Sequence, residues 1–218
     1  MALDKESFDL LLPTLQRFIQ ERLVPAENYL EEHDEVPADI VEDMKEMGLF
    51  GLSIPEEFGG IGLSMSQEVQ VAYEIGRTSL AFRSVFGTNV GIGSQDILMD
   101  GTPEQKVTIL PKVASGELIM SFALTEPDAG SDTASLKTRA DLEGDHYVLN
   151  GTKRFITNAP RAGAFTLMAR TGGPGAGGVS SSSCRLICRA SSLVRPIKKW
   201  DNEVPRLARF DHWRNRDG

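Results

Sequence analysis

Apolar positions in the first part of the chain recur at helical spacing. Phe8, Leu11, Leu12, Leu15, Phe18, Ile19 and Leu23 fall on one face of a helix. Pro13 predicts a start or a kink within it, because proline has no N–H to donate and its ring crowds the preceding turn. A second helix is predicted over Pro37–Met47, with Pro37 suited to its first turn and Gly48 to the position after its last. Ile54-Pro55-Glu56-Glu57-Phe58-Gly59-Gly60 breaks the chain. Ser64–Ile75 predicts a third helix, with Val69, Ala72 and Tyr73 apolar at suitable spacing, and Val85–Met99 is glycine-interrupted and helical in part. Thr102-Pro103-Glu104-Gln105 is a helix start, a threonine cap followed by proline at the first position. That helix is expected to run to Val113, with Gly116 beyond it.

The period changes near Ile119. Tyr147–Leu149, then Asn150-Gly151, then Lys153–Ile156 predicts a β-hairpin around a type I′ turn. Thr166–Arg170 predicts another strand, and Gly172–Gly178 a loop or flexible link. The expectation is an α+β multi-domain chain. An all-α helical domain spans 1–118, a partial β domain 119–179, and a basic tail of different composition 180–218.

Charge sharpens that last boundary. Ser180–Gly218 holds nine bases (Arg185, Arg189, Arg195, Lys198, Lys199, Arg206, Arg209, Arg214, Arg216) against four acids (Asp201, Glu203, Asp211, Asp217). The stretch is therefore +5, and Met1–Val179 carries −13 of a net −8. The acidic body argues against nucleic-acid binding. No run of apolar residues is long enough to span a membrane. The N-terminus has neither a secretory signal nor an Arg-rich transit peptide, so a cytoplasmic protein is expected.

Two segments stand out for their chemistry: Phe122-Ala123-Leu124-Thr125-Glu126-Pro127-Asp128-Ala129-Gly130-Ser131-Asp132, and Tyr147-Val148-Leu149-Asn150-Gly151-Thr152-Lys153-Arg154-Phe155-Ile156-Thr157-Asn158. Taken alone, the first is a strand running into a polar turn. Its hydroxyls and amides suit an anion or a heterocycle, or the turn is simply capped by its own Asp and Ser side chains. In this order the two segments resemble the signature of acyl-CoA dehydrogenases. So do Pro55–Gly62, Gly101–Lys106 and Lys112–Glu117, and the resemblance runs from Phe8 to Val179.

The resemblance implies a helical N-terminal domain, an incomplete β-barrel-like middle domain and, in the family, a C-terminal helical domain. FAD lies between the last two, usually in a homotetramer. It implies an acyl-CoA substrate and electron-transfer flavoprotein as electron acceptor. Carried over by position, Phe122, Leu124 and Thr125 match the strand lining the isoalloxazine, with Thr125 at its pyrimidine edge. Ser131 matches a serine contacting acyl-CoA and the flavin's surroundings. Phe155 matches an aromatic position against the flavin face, followed by Ile156, and Thr157 matches a hydroxyl near flavin N5. In isolation, Phe155 reads better as β-domain core. The family's catalytic base is a Glu on a C-terminal helix. The expectation is that this chain ends before it, carries no catalytic residue and is an inactive fragment that binds FAD poorly; Glu126 is not that base.

After Val179 the resemblance stops. Cys184, Cys188 and His212 are too few and too irregularly spaced for the usual four-ligand zinc site. A frameshift is the expected origin of the tail. Back-translated with each codon begun one base earlier, Ser182–Ala190 becomes compatible with Ile-Val-Pro-Ala-Asp-Leu-Pro-Gly. Ile197–Pro205 becomes compatible with Lys-Lys-Met-Gly-Gln-Arg-Gly-Ser. Two other readings stay open: an acyl-CoA oxidase or flavin monooxygenase of the same superfamily, and a non-enzymatic module whose basic tail engages an acidic partner.

Overall fold

The computed structural model describes residues 3–144 and 146–185, and the chain divides between Ile119 and Met120 into two units. The first is entirely helical. Helix α1 (Lys5–Phe18) begins where the Asp4 carboxylate accepts the Ser7 N–H at 2.9 Å. Pro13 does not stop it. The chain continues through a π-type turn, Ile19–Leu23, into α2 (Val24–His33). Pro13 lies on the exposed face, where a carbonyl left without an N–H partner is open to solvent. The expected face is the buried one: Phe8, Leu15, Phe18, Ile19 and Leu23 are all in the core.

Helix α3 (Ala38–Glu46) follows Pro37 and ends at Gly48, whose φ of 71° is the left-handed stop that glycine adopts without strain. Between Leu49 and Gly62 the backbone folds on itself. A Cβ on Gly60 would stand 1.9 Å from the Ile54 carbonyl oxygen, so only glycine fits there. Helix α4 (Met65–Ile75) starts in a capping box between Ser64 and Gln67. Its buried side chains are Val71, Glu74 and Ile75, while Val69 and Tyr73, the positions that suggested an apolar face, are exposed. The helix carries two apolar stripes, and only tertiary packing chose between them.

The glycine-interrupted stretch resolves into α5 (Leu80–Val90) and α6 (Gln95–Asp100), and α7 (Pro103–Ala114) starts at the expected Thr102 cap. Asn89, fully buried on α5, donates from Nδ2 to the carbonyls of Val113 at 3.0 Å and Leu118 at 2.9 Å, fastening the end of α7. Among the described residues, no helix is long and apolar enough to cross a membrane.

The second unit is an open sheet of β1 (Met120–Ala123), β2 (Arg139–Glu143), β3 (His146–Asn150), β4 (Ala164–Arg170) and β5 (Val179–Arg185). One edge of β4 takes β1 in parallel over Ala164–Leu167 and then β2 at Arg170; β5 pairs antiparallel along the other edge. The unit is therefore an incomplete, barrel-like sheet, as the sequence suggested. Strand β5 continues through Arg185, past the Val179–Ser180 boundary read from composition. Residues 186–218, with Cys188, His212 and the rest of the expected basic tail, lie outside the described residues.

The hairpin forms in a different place from the one expected. Strand β3 pairs with β2, not with Lys153–Ile156, and the turn between them contains Gly144 at φ 66°. The Asn150-Gly151 pair fails as a hairpin turn because Gly151 packs against Thr138, where a Cβ would meet Oγ1 at 2.2 Å. The loop after β4 is also anchored. Arg170 donates from Nη1 to the carbonyls of Gly173 at 2.7 Å and Gly175 at 3.0 Å, and from Nη2 to that of Ala134 at 2.7 Å.

Candidate functional site

Strand β1 and the irregular run Lys153–Thr157 lie side by side. Ser121 Oγ donates to the Thr157 carbonyl at 2.7 Å, and the Arg154 N–H donates to the Thr125 carbonyl at 2.8 Å. These two bonds bring six of the seven expected site residues into one patch: Phe122, Leu124 and Thr125 on one segment, and Phe155, Ile156 and Thr157 on the other. Phe122, Leu124, Thr125 and Ile156 are half-buried, and Phe155 and Thr157 are exposed. Among the described residues, the hydroxyls of Thr125 and Thr157 have no protein partner.

Phe155 is unusual. It takes φ 58°, a left-handed conformation that is an outlier for a bulky side chain and is maintained only when its surroundings dictate it. The reward is not burial, because the ring is 59% exposed. The core reading of Phe155 is therefore excluded. The Arg154 guanidinium stands over the ring, 4.3 Å from its centroid, a cation–π contact, while Arg154 Nε is buried with no protein partner.

Ser131 is not drawn into this patch by any hydrogen bond. It is exposed on the loop beyond the tight Glu126–Ala129 turn, which closes through the Glu126 N–H and the Ala129 carbonyl at 2.7 Å. The loop passes back near Thr125, since a Cβ on Gly130 would lie 4.0 Å from the Thr125 methyl.

What fastens the loop is a pair that the sequence did not reveal. Lys153 Nζ donates to Glu126 Oε1 at 2.8 Å and to the Leu124 carbonyl at 3.0 Å. The Glu126 carboxylate also accepts the backbone N–H groups of Lys137 at 2.6 Å and Thr138 at 2.9 Å. The two side chains are 1% and 4% exposed. Burial alone pushes the Glu126 carboxyl up, but the Lys153 ammonium and the two backbone amides outweigh it and hold the group below the usual carboxylate range. Burial pulls Lys153 below the usual lysine range, and Glu126 offsets only part of that. Glu126, ionised and fully engaged, is a structural carboxylate and not a free base. The partners are 27 residues apart, so no local spacing signals them. Among the described residues, no group of His, Cys, Asp and Glu side chains is arranged to hold a metal ion.

The patch combines a half-buried apolar strip, an exposed aromatic face and two free hydroxyls, which fits a flat heteroaromatic group with polar edges. Residues 5–117 match the acyl-CoA dehydrogenase N-terminal domain, and residues 121–192 match the acyl-CoA dehydrogenase middle domain. The second match extends beyond Val179, where the resemblance read from the sequence stops. The chain is 44% identical over 167 residues to a (2S)-methylsuccinyl-CoA dehydrogenase of Cereibacter sphaeroides, covering 76% of this chain and 30% of that protein. It superposes on an acyl-CoA dehydrogenase of Bacillus anthracis, solved in complex with FAD, with a TM-score of 0.79 and 32% identity over 95% of this chain and 36% of that one. A prolyl acyl carrier protein oxidase superposes with a TM-score of 0.81 at 28% identity, over 96% of this chain and 57% of that one. The curated relatives are longer, and the chain covers 30%, 25% and 41% of the length of three of them. With both domain matches in the order the two units adopt, the chain belongs to the acyl-CoA dehydrogenase family.

Proposed function

We propose that the patch formed by β1 and Lys153–Thr157 is a flavin-facing wall. It would serve the FAD-dependent introduction of an α,β double bond into acyl-CoA thioesters. The observation that carries this reading is Phe155, an aromatic ring kept on the surface at the cost of backbone strain, beside unpartnered hydroxyls. Phe122, Leu124 and Ile156 would present apolar edges and backbone to the cofactor, and Phe155 one flat face. Thr125 and Thr157 would donate at its polar edges, and Ser131 would reach acyl-CoA and the flavin's surroundings. FAD, when bound, supplies the acceptor for the substrate's β-hydride. Fixed donors at the places where charge develops stabilise the reduced cofactor without reorganising.

The domain limits 1–118 and 119–179 belong to the same reading, as do a homotetramer and electron-transfer flavoprotein as the acceptor. The likeness to an acyl carrier protein oxidase keeps a second reading alive, in which oxygen takes the electrons.

Titration of the purified chain with FAD, followed by quenching of flavin emission, tests the wall. Saturable binding that weakens in Phe155→Ala and Thr125→Val is the expected result. Binding indifferent to both substitutions would sink the assignment.

A further inference from the structure

Lys153 and Glu126 supply something that an apolar core cannot. Their hydrogen bonds run to each other and to three backbone groups, the Leu124 carbonyl and the N–H groups of Lys137 and Thr138. Leu124 follows β1, and Lys137 and Thr138 precede β2, so these groups lie just outside the strands that would otherwise pair them. Burying such groups unpaired is costly. An ion pair, in contrast, is a poor source of bulk stability, since apolar side chains of similar volume often serve as well or better. What distinguishes this pair is that it holds three irregular segments in one register. Two of the three lead directly to the patch: Leu124 to Thr125, and Lys153 to Arg154, whose N–H reaches the Thr125 carbonyl; the third, Lys137–Thr138, leads into β2. Phe155, in its left-handed conformation, comes next.

We infer that Lys153 and Glu126 are positioning residues for the Thr125–Phe155 wall. Their contact sets the register between the two segments, and so the direction of the Phe155 ring and the Thr125 hydroxyl. The inference rests on the flavin reading only for the identity of the ligand; the register is a property of the chain itself.

Residue-resolved hydrogen exchange on the full chain tests it, with Leu149→Ala as a control. That substitution removes a buried side chain from the same unit without touching the pair. In Lys153→Met the Arg154 amide is expected to exchange faster, relative to the Leu167 amide within β4, by about tenfold or more, whereas Leu149→Ala accelerates both alike. Glu126→Gln, which keeps the side chain's shape, is expected to give the same selectivity at Lys137 and Thr138 and serves if Lys153→Met does not fold. Equal acceleration across the unit in the folded variants would overturn the inference and leave the pair as ordinary core. FAD titration of the same variants forms a separate arm, in which Lys153→Met should weaken binding more than Leu149→Ala. Flavin quenching that is indifferent to Phe155→Ala and Thr125→Val defeats the flavin reading, while the exchange result still decides the pair.

Discussion

The helical and sheet units are held by different means. In the helical unit, large side chains such as Leu15, Met44, Phe50, Phe82 and Phe86 are fully buried, and Phe50 meets Phe86 edge-on at 6.2 Å. Several helices also begin at their own side-chain caps. In the sheet unit four of the seven residues of the buried apolar cluster are alanines, Ala123, Ala140, Ala159 and Ala169, which bury little hydrocarbon. Polar pins take up the remainder: Lys153 with Glu126, Arg170 with its loop carbonyls, and Ser121 with Thr157. An apolar core tolerates small adjustments, because dispersion has no direction. A charged pin enforces geometry and fails abruptly when one partner goes. The candidate site is in the unit built the second way.

Breaking one pin is the most severe test of this contrast. Lys153→Met leaves an uncompensated carboxylate in the interior and is expected to cost the sheet unit about 3–5 kcal/mol, read by urea denaturation. Leu15→Ala in the helical unit removes hydrocarbon alone and is expected to cost about 3 kcal/mol. The helical unit's loss should be insensitive to pH, and a strong pH dependence there would erase the distinction.

Glu126 in the sheet unit and Glu68 in the helical unit respond to acid with opposite sign. Glu126 is depressed in the folded chain, so its stabilisation is complete above the ordinary value of 4.5 and is lost as pH falls through the lower folded value. Glu68 on α4 is shifted the other way, raised by burial with Arg83 opposing. Its contribution favours the folded state below 4.5 and fades as pH rises through the raised folded value. Lowering the pH through this window should therefore weaken the sheet unit ahead of the helical one, as reported by amide exchange in each. Glu126→Gln should remove the acid sensitivity of the sheet unit; if it persists unchanged, another group is responsible.

The smallest expected effect concerns Phe155. Replacing it with glycine relieves the left-handed strain and gives up one cation–π contact, so stability should rise by about 0.5 kcal/mol. A substitution that stabilises the chain while weakening FAD binding would mark Phe155 as kept for the ligand. A loss of more than about 1 kcal/mol would mark it instead as part of the packing.

The sequence by itself determined the helical unit almost entirely. Its signals are local: apolar residues three and four apart, Thr102 before Pro103, and Gly48 after the last turn of α3 all act within a few residues of where they are read. Through likeness to a family, and not through any spacing, it also named six residues that the fold brings side by side and a seventh, Ser131, that no hydrogen bond ties to them. Tertiary structure alone decided the remainder. It chose Val71 and Ile75 over Val69 and Tyr73 as the buried face of α4, because the helix offers two apolar stripes and only its neighbours select one. It moved the hairpin from Asn150-Gly151 to the turn at Gly144, because Gly151 is committed to Thr138 and Lys153 to Glu126. It turned Phe155 outward and joined Lys153 to Glu126, contacts that depend on residues far apart in the chain reaching one register. A periodicity can show that a residue will be buried; it takes the folded backbone to say against what.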